Sequence, residues 1–477
     1  MWPIRHRVAL ALLLILTVTL IYVPPAARSQ GMQKTYQTYL PLVTRMGVPS
    51  IFGFEANPAV IGSNPLVAEQ ARQLGARWSR MHNLSWRSVQ PTPSRTYNWD
   101  ALAVAAFEQE LAANVALKLE PVVIVADSPA WATILPTSCG AIKDAEHAAF
   151  AAFMEALVNR YKDRVRYWEI GNEPDVDPNL VEKDQIYGCW GDILDPYYGG
   201  ERYGRMLNVV APAIRRADPG ATIVIGGLLL ATPNTTNPAL GHPENFLEGI
   251  LRAGAASSFD VVAYHAYAWY STPQIDYDLD AGNDWKDYGG WLLGKANFLR
   301  AVMQRYKVTK PLWVNETGLV CARDLVTQDC VPLTPAFFQG QADYVVRVMS
   351  RAAAEGIQQM SWYTLNGPGW RNAALLDANQ QPRPVYTAYQ HLIQRVGQHF
   401  GAKATTYSAA TEAYRYDKGP TVVDVVWSRS SAVQTISVPG DRFRAAYTRD
   451  GAPVNTQPGA TIQIGVGFSP IYIERLP

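Results

Sequence analysis

The chain has 477 residues and a formal net charge of +1, so it lacks the basic excess that a nucleic-acid or polyanion partner demands. It is too long for one ordinary domain and suits a barrel with an appendage. Charged residues make up 17% and aromatic residues 11%, with 14 Trp and 25 Tyr, which fits a large core and aromatic binding faces.

The first residues read as an export signal. Arg5, His6 and Arg7 form a basic start, Val8 to Val23 an apolar run, and Ala27 and Ser29 supply small residues for cleavage after Ser29. The run is short for a membrane span, and no later segment is apolar for long enough to cross one. The expectation is a secreted protein of bacterial export type, with signal peptide 1–29, a lead-in over 30–48, and no membrane attachment after cleavage.

Short apolar runs then alternate with amphipathic stretches. Ile51–Phe54 reads as the first strand, followed by a helix opening at Asn64-Pro65, a cap residue and a proline at the first helical position. Trp78–Met81 is the second, with Asp100 as the cap of the next helix. Pro121–Ala126, Val165–Ile170, Thr222–Ile225, Phe259–Tyr264, Leu312–Val314 and Met360–Tyr363 follow. The helices between them run near 144–161, 203–217, 244–253, 292–306, 336–355 and 386–396. The strands are apolar without alternation, as strands covered on both faces are. Eight such units predict a (β/α)8 TIM barrel over 49–398. A doubly wound open sheet would also alternate, but Glu55-Ala56-Asn57-Pro58 follows the first strand where that fold more often has a glycine-rich phosphate turn.

Past Gly401 the pattern changes to short strands at 421–427, 432–438, 443–448, 461–466 and 471–474, with Asp450-Gly451 as a hairpin turn. This predicts a small antiparallel β-sandwich over 399–477 that braces the barrel; Trp427 and Tyr447 suit either core or platform. Four cysteines in an exported chain read as two disulfides, paired here as Cys321–Cys330 and Cys139–Cys189, with the other two connectivities open. Neither Cys-x-x-Cys spacing nor a neighbouring His favours zinc.

Two of the predicted strands end in glutamate. Tyr167-Trp168-Glu169-Ile170-Gly171-Asn172-Glu173-Pro174 closes the fourth, and Trp313-Val314-Asn315-Glu316-Thr317-Gly318 the seventh. Strand ends of a barrel converge on one mouth, and cleavage of a glycosidic bond needs one protonated and one ionised carboxyl there. Glu173 suits the acid/base and Glu316 the nucleophile. Arg80 supplies a cation to keep Glu316 ionised. Asn172 is placed to bond a sugar 2-hydroxyl, His265 and Tyr267 to position the nucleophile or bind a hydroxyl, and Trp362 to serve as a sugar platform. Taken singly, each is as readily a capped turn, a structural ion pair or a core residue; their joint placement carries the reading. Trp190, Tyr197, Tyr198, Trp269, Tyr270, Trp285, Trp291 and Trp370 lie in loops or near helix starts on the same face, and some should line subsites.

These motifs resemble those of clan A glycoside hydrolases. Asn172-Glu173-Pro174 and Glu316-Thr317-Gly318 match the clan's acid/base and nucleophile in place and order. Arg80-Met81-His82 and His265-Ala266-Tyr267 are similar to family 39, which adds His82 to the substrate-binding set, and Trp313–Gly318 looks as much like family 5. Asn315 departs from the pattern, standing where Thr is common before the nucleophile. The resemblance implies retention through a covalent glycosyl-enzyme, a β-linked oligo- or polysaccharide as partner, and no metal or other cofactor. A non-catalytic carbohydrate-binding protein on the same fold is the alternative, and it has no need for both glutamates.

Overall fold

The computed structural model describes residues 47–477 except 136–139, 182–187, 281, 325, 326 and 328, with the side chains of His82, Asn83 and Leu180 also outside the description. The expected signal peptide, most of the lead-in and the Cys139–Cys189 bridge therefore fall outside the described residues.

Strands β1 (Phe52–Ala56), β2 (Trp78–Ser85), β3 (Glu120–Ala126), β4 (Tyr167–Ile170), β5 (Thr222–Ile225), β6 (Val262–Trp269), β7 (Leu312–Val320) and β8 (Gln359–Tyr363) are joined in the order β5-β4-β3-β2-β1-β8-β7-β6. Their ladders are parallel. Parallel bridges Val224–Val261 and Leu228–Tyr264 join β5 to β6 and close the barrel. In β3, Pro121 to Val125 are buried in succession, because the barrel interior covers one face and the outer helices the other. The helix Pro65–Leu74 is capped by Asn64, whose side chain accepts from the Leu66 and Val67 amides. Asp100, expected as a cap, is not one: helix Leu102–Ala116 starts after Ala101, which makes no side-chain cap.

The N-terminal end of the barrel is filled by aromatic rings. Trp78, Tyr167 and Trp313 meet at centroid distances of 4.9, 5.3 and 5.5 Å over Val122, Val224 and Ala263. This layer leaves the polar interior residues to the opposite end.

The C-terminal part holds β9 (Gly401–Thr405), β10 (Thr411–Asp417), β11 (Val422–Ser428), β12 (Gln434–Pro439), β13 (Phe443–Thr448), β14 (Thr461–Val466) and β15 (Ile471–Arg475). A sheet in the order β13-β15-β11-β10-β9 faces the pair β12-β14, and a core including Val426, Ile436, Ile462, Ile464 and Ile473 lies between them. The sequence reading missed β9 and β10, whose strands carry charges such as Lys403, Glu412 and Arg415. Glu412 is buried because Arg351, on the barrel helix Pro335–Ala354, donates to it at 2.8 Å. Arg449 donates to Asp343 of the same helix at 2.7 Å, so the sandwich is tied to the barrel by buried ion pairs. Trp427 is fully buried and belongs to the core. Cys321 and Cys330 form a disulfide with a Cα–Cα distance of 5.5 Å. Among the described residues no helix is long and apolar enough to cross a membrane.

Candidate active site

Arg80 organises the mouth of the barrel. It sits on β2, register-paired with Glu55 on β1, and its side chain is fully buried. Its Nε and Nη2 donate to both oxygens of Glu169 on β4 at 2.9 and 2.7 Å, and Nη2 also reaches Asn172 Oδ1 at 2.7 Å. Nη1 donates to Glu55 at 2.5 Å and to Glu316 Oε1. A guanidinium fits this work because its planar fork holds several carboxylates in fixed directions. Arg80 is thus the cation expected beside Glu316; its guanidinium is fully buried, spends its N–H groups on other side chains and does not line the cavity, so it is not placed as a substrate ligand. His82, the neighbouring candidate, has its side chain outside the described set.

Glu316 reaches this cation through a β-bulge. Tyr264 pairs with Val314 but His265 pairs with Glu316, which leaves Asn315 as the extra residue of β7. A bulge re-aims the side chain that follows it. Tyr267 completes the clamp, its hydroxyl donating to Glu316 Oε2 at 2.6 Å. Burial favours the neutral acid, but the charges of His265 and Arg80 and the bond from Tyr267 outweigh it and hold Glu316 below the usual carboxylate range.

Glu173 follows β4 after Gly171, and its backbone has a φ of 46°. That left-handed conformation costs a non-glycine residue energy and clusters at functional sites. It is fixed by the Glu173 amide donating to Gly227 O at 3.0 Å. Asp175 anchors the other side of the turn by accepting from the Leu229 and Leu230 amides at 2.9 and 2.7 Å.

His265 lies between the two glutamates. Its Nδ1 is 2.8 Å from Glu173 Oε1 and 3.4 Å from Glu316 Oε2. Burial disfavours the imidazolium, yet Glu316 and Glu173 together raise the His265 pKa above its ordinary value. One oxygen of each glutamate and a His265 nitrogen all lie within 4.8 Å of one another. Three such donors also suit a metal ion by distance alone. A metal there would have to displace the imidazole proton that the two carboxylates favour and share Glu316 with Arg80.

The cavity above these residues has a volume of about 590 Å3 and is walled by Trp269, Trp291, Trp370, Tyr267 and Tyr363. Three of the aromatic loop residues named from the sequence are thus in place. Trp190, Tyr198 and Trp285 are buried instead. Trp362 is also no platform: it is fully buried, its Nε1 donates to Ala373 O at 2.8 Å, and it packs on Tyr344. Tyr363, the next residue, faces the cavity, since successive strand residues point to opposite sides. Lys295 also lines the cavity, donating to Leu229 O at 2.7 Å and His265 O at 2.9 Å.

Sequence reasoning missed Glu55, Glu169 and Lys295. The signal for the first two was available. Each is a lone charge inside an apolar strand, and a charge buried there must be paired.

No protein-family model and no curated protein matches the chain. Among solved structures it is similar to a family 39 glycoside hydrolase from the gut symbiont Bacteroides cellulosilyticus, with a TM-score of 0.66 and 17% identity over 90% of this chain and 81% of that one. A family 30 subfamily 8 xylanase from Clostridium acetobutylicum gives 0.57 and 13%, covering 91% and 97% of the respective chains. A family 51 α-L-arabinofuranosidase from Bifidobacterium longum gives 0.56 and 14%, covering 91% and 97%. At these identities the likeness establishes a shared fold.

Proposed function

We propose that the chain is a secreted retaining glycoside hydrolase, with Glu173 as acid/base and Glu316 as nucleophile, acting on β-linked glycosides or polysaccharide of xylo-, gluco- or manno-configuration. The observation that carries this reading is the approach of the two carboxyls to within 4.8 Å at the mouth of the barrel. A separation of about 5 Å suits direct attack by one carboxylate, whereas an inverting pair stands farther apart to admit a water.

In the first step the Glu173 proton passes to the glycosidic oxygen while a Glu316 oxygen bonds to the anomeric carbon and the leaving alcohol departs. In the second, Glu173 takes a proton from water, the water oxygen bonds to the same carbon from the opposite face, and Glu316 is released as carboxylate. Arg80 and Tyr267 hold Glu316 ionised and aimed. Asn172 spends its carbonyl on Arg80, which leaves its amide N–H groups for a substrate hydroxyl. Trp269, Trp291 and Trp370 offer faces to sugar rings. Fold neighbours whose names describe glycoside hydrolases are consistent with this reading.

Protein purified from residue 30 onward is expected to release sugar from at least one member of a panel of β-linked polysaccharides and aryl β-glycosides. The first-formed product should carry the substrate's anomeric configuration by proton NMR, and EDTA should leave the rate unchanged. Inversion, or activity abolished by EDTA and restored by a divalent ion, would sink the mechanism. Binding without cleavage would favour the non-catalytic alternative.

A further inference from the structure

Besides the nitrogen that faces the glutamates, His265 and its neighbour Asn315 hold three buried polar atoms. Among the described residues nothing hydrogen-bonds His265 Nε2, Asn315 Oδ1 or Asn315 Nδ2. Both side chains are fully buried, where an unmatched polar group is costly. His265 Nε2 and Asn315 Oδ1 share one small space over Gly227. A Cβ added to Gly227 would stand 2.3 Å from His265 Nε2 and 2.4 Å from Asn315 Oδ1. Only glycine leaves this space open, and Asn315 reaches it because it is the bulged residue of β7. Asn315 Oδ1 and His265 Nε2 thus flank one point without a hydrogen bond between them, and an amide oxygen can accept a hydrogen bond but not donate one.

We propose that Asn315 is a positioning residue that keeps a proton on Nε2 of His265 and so makes Nδ1, the nitrogen beside Glu173, the one that exchanges protons. Which imidazole nitrogen titrates is set by the partner of the other. Once a small rotation of the Asn315 amide lets Oδ1 accept from Nε2–H, the imidazolium passes its Nδ1 proton to Glu173 Oε1, 2.8 Å away. A carboxylate becomes a carboxylic acid and the imidazolium becomes the neutral Nε2–H form, so proton and charge balance. Glu173 is thereby charged with the proton that the acid step spends. The other charged or titratable groups around the ring are Glu316, Arg80, Tyr267 and, through the His265 carbonyl, Lys295. On the Nε2 side, Glu169 Oε1 accepts from the Gly227 amide at 3.2 Å and is paired with Arg80. The catalytic part of this inference rests on the function proposed above; the tautomer does not.

The test is the 15N spectrum of the imidazoles in the chain from residue 30, with His265 assigned by the signal lost in His265→Gln. Above its titration, wild-type His265 should be the Nε2–H tautomer. In Asn315→Leu the Nδ1–H form should gain, and the alkaline limb of kcat/KM should move down by roughly one pH unit. Asn315→Asp, which keeps an acceptor, should retain the Nε2–H form, and it stands in if the leucine variant does not fold. An Nδ1–H tautomer in the wild type, or one unchanged in a folded Asn315→Leu, would overturn the inference. A protein that shows the tautomer change but cleaves no glycoside would fail the functional reading alone.

Discussion

Glu316→Gly is expected to lower kcat by ~10^4- to 10^6-fold on every substrate, the scale seen when a nucleophile is removed. The loss should not depend on the leaving group, because without the carboxylate nothing attacks the anomeric carbon. Glu173→Ala should behave differently. With an alkyl glycoside it should be nearly as damaged, since an alkoxide cannot leave without a proton. With an aryl glycoside whose phenol is acidic, the first step needs little protonation and should stay fast. The second step then lacks its base, so the glycosyl ester accumulates and product appears as a burst. Azide, a nucleophile that needs no general base, should restore turnover in Glu173→Ala and give a glycosyl azide of retained configuration. In Glu316→Gly azide can occupy the space of the lost side chain and attack directly, which gives the inverted azide. Product configuration therefore assigns the two roles separately. Identical azide products from both variants would show that the roles are wrong.

The barrel was legible because its strands are uninterrupted apolar runs of the right length, each followed by a helical stretch. Where the runs were interrupted the reading stopped short. β6 continues through Tyr267 and Trp269 and β7 through Val320, although polar residues such as His265, Asn315 and Thr317 break the apolar pattern there. Those polar residues are buried because the opposing strand ends supply their partners, which one segment of sequence cannot display. Thr317, for example, donates from its hydroxyl to Ala266 O at 2.7 Å. The two glutamates at strand ends could be named for the same reason that the barrel could: position in the repeat places them at one mouth. Trp362 was misplaced by one residue of strand phase, an error that exchanges cavity for core, whereas Tyr363 beside it faces the substrate side. The gathering of Glu55, Glu169, Glu316 and Asn172 on one guanidinium joins four different strands or strand ends, and it becomes visible only when the barrel is closed.

That gathering makes Arg80→Met the largest expected loss of stability. The variant leaves three buried carboxyl groups without their cation, and removing one partner of a buried ion pair costs about 3–5 kcal/mol. The decline of stability with rising pH should also steepen. In the wild type Glu316 titrates below its ordinary range in the folded state, so its contribution is present above about pH 4.5 and is lost as pH falls through the folded value. In Arg80→Met the same carboxylates can remain buried only by holding protons. The folded state then binds more protons than the unfolded one, and stability should fall as pH rises. Glu55 already behaves in this second way. Burial pushes it up to about 8, against the lowering effect of Arg80 and with the help of Glu316. Between its ordinary value and about 8 the folded state keeps a proton that the unfolded state gives up, so this group's contribution declines as pH rises across that window. Glu55→Gln, a neutral side chain of the same shape, should remove that decline and leave the protein relatively more stable on the alkaline side. Urea midpoints of wild type, Arg80→Met and Glu55→Gln from about pH 5 to 9 test both expectations. A profile for Arg80→Met parallel to that of the wild type would show that the guanidinium does not govern the protons of this cluster, and with that the account of why Glu316 stays ionised would fall.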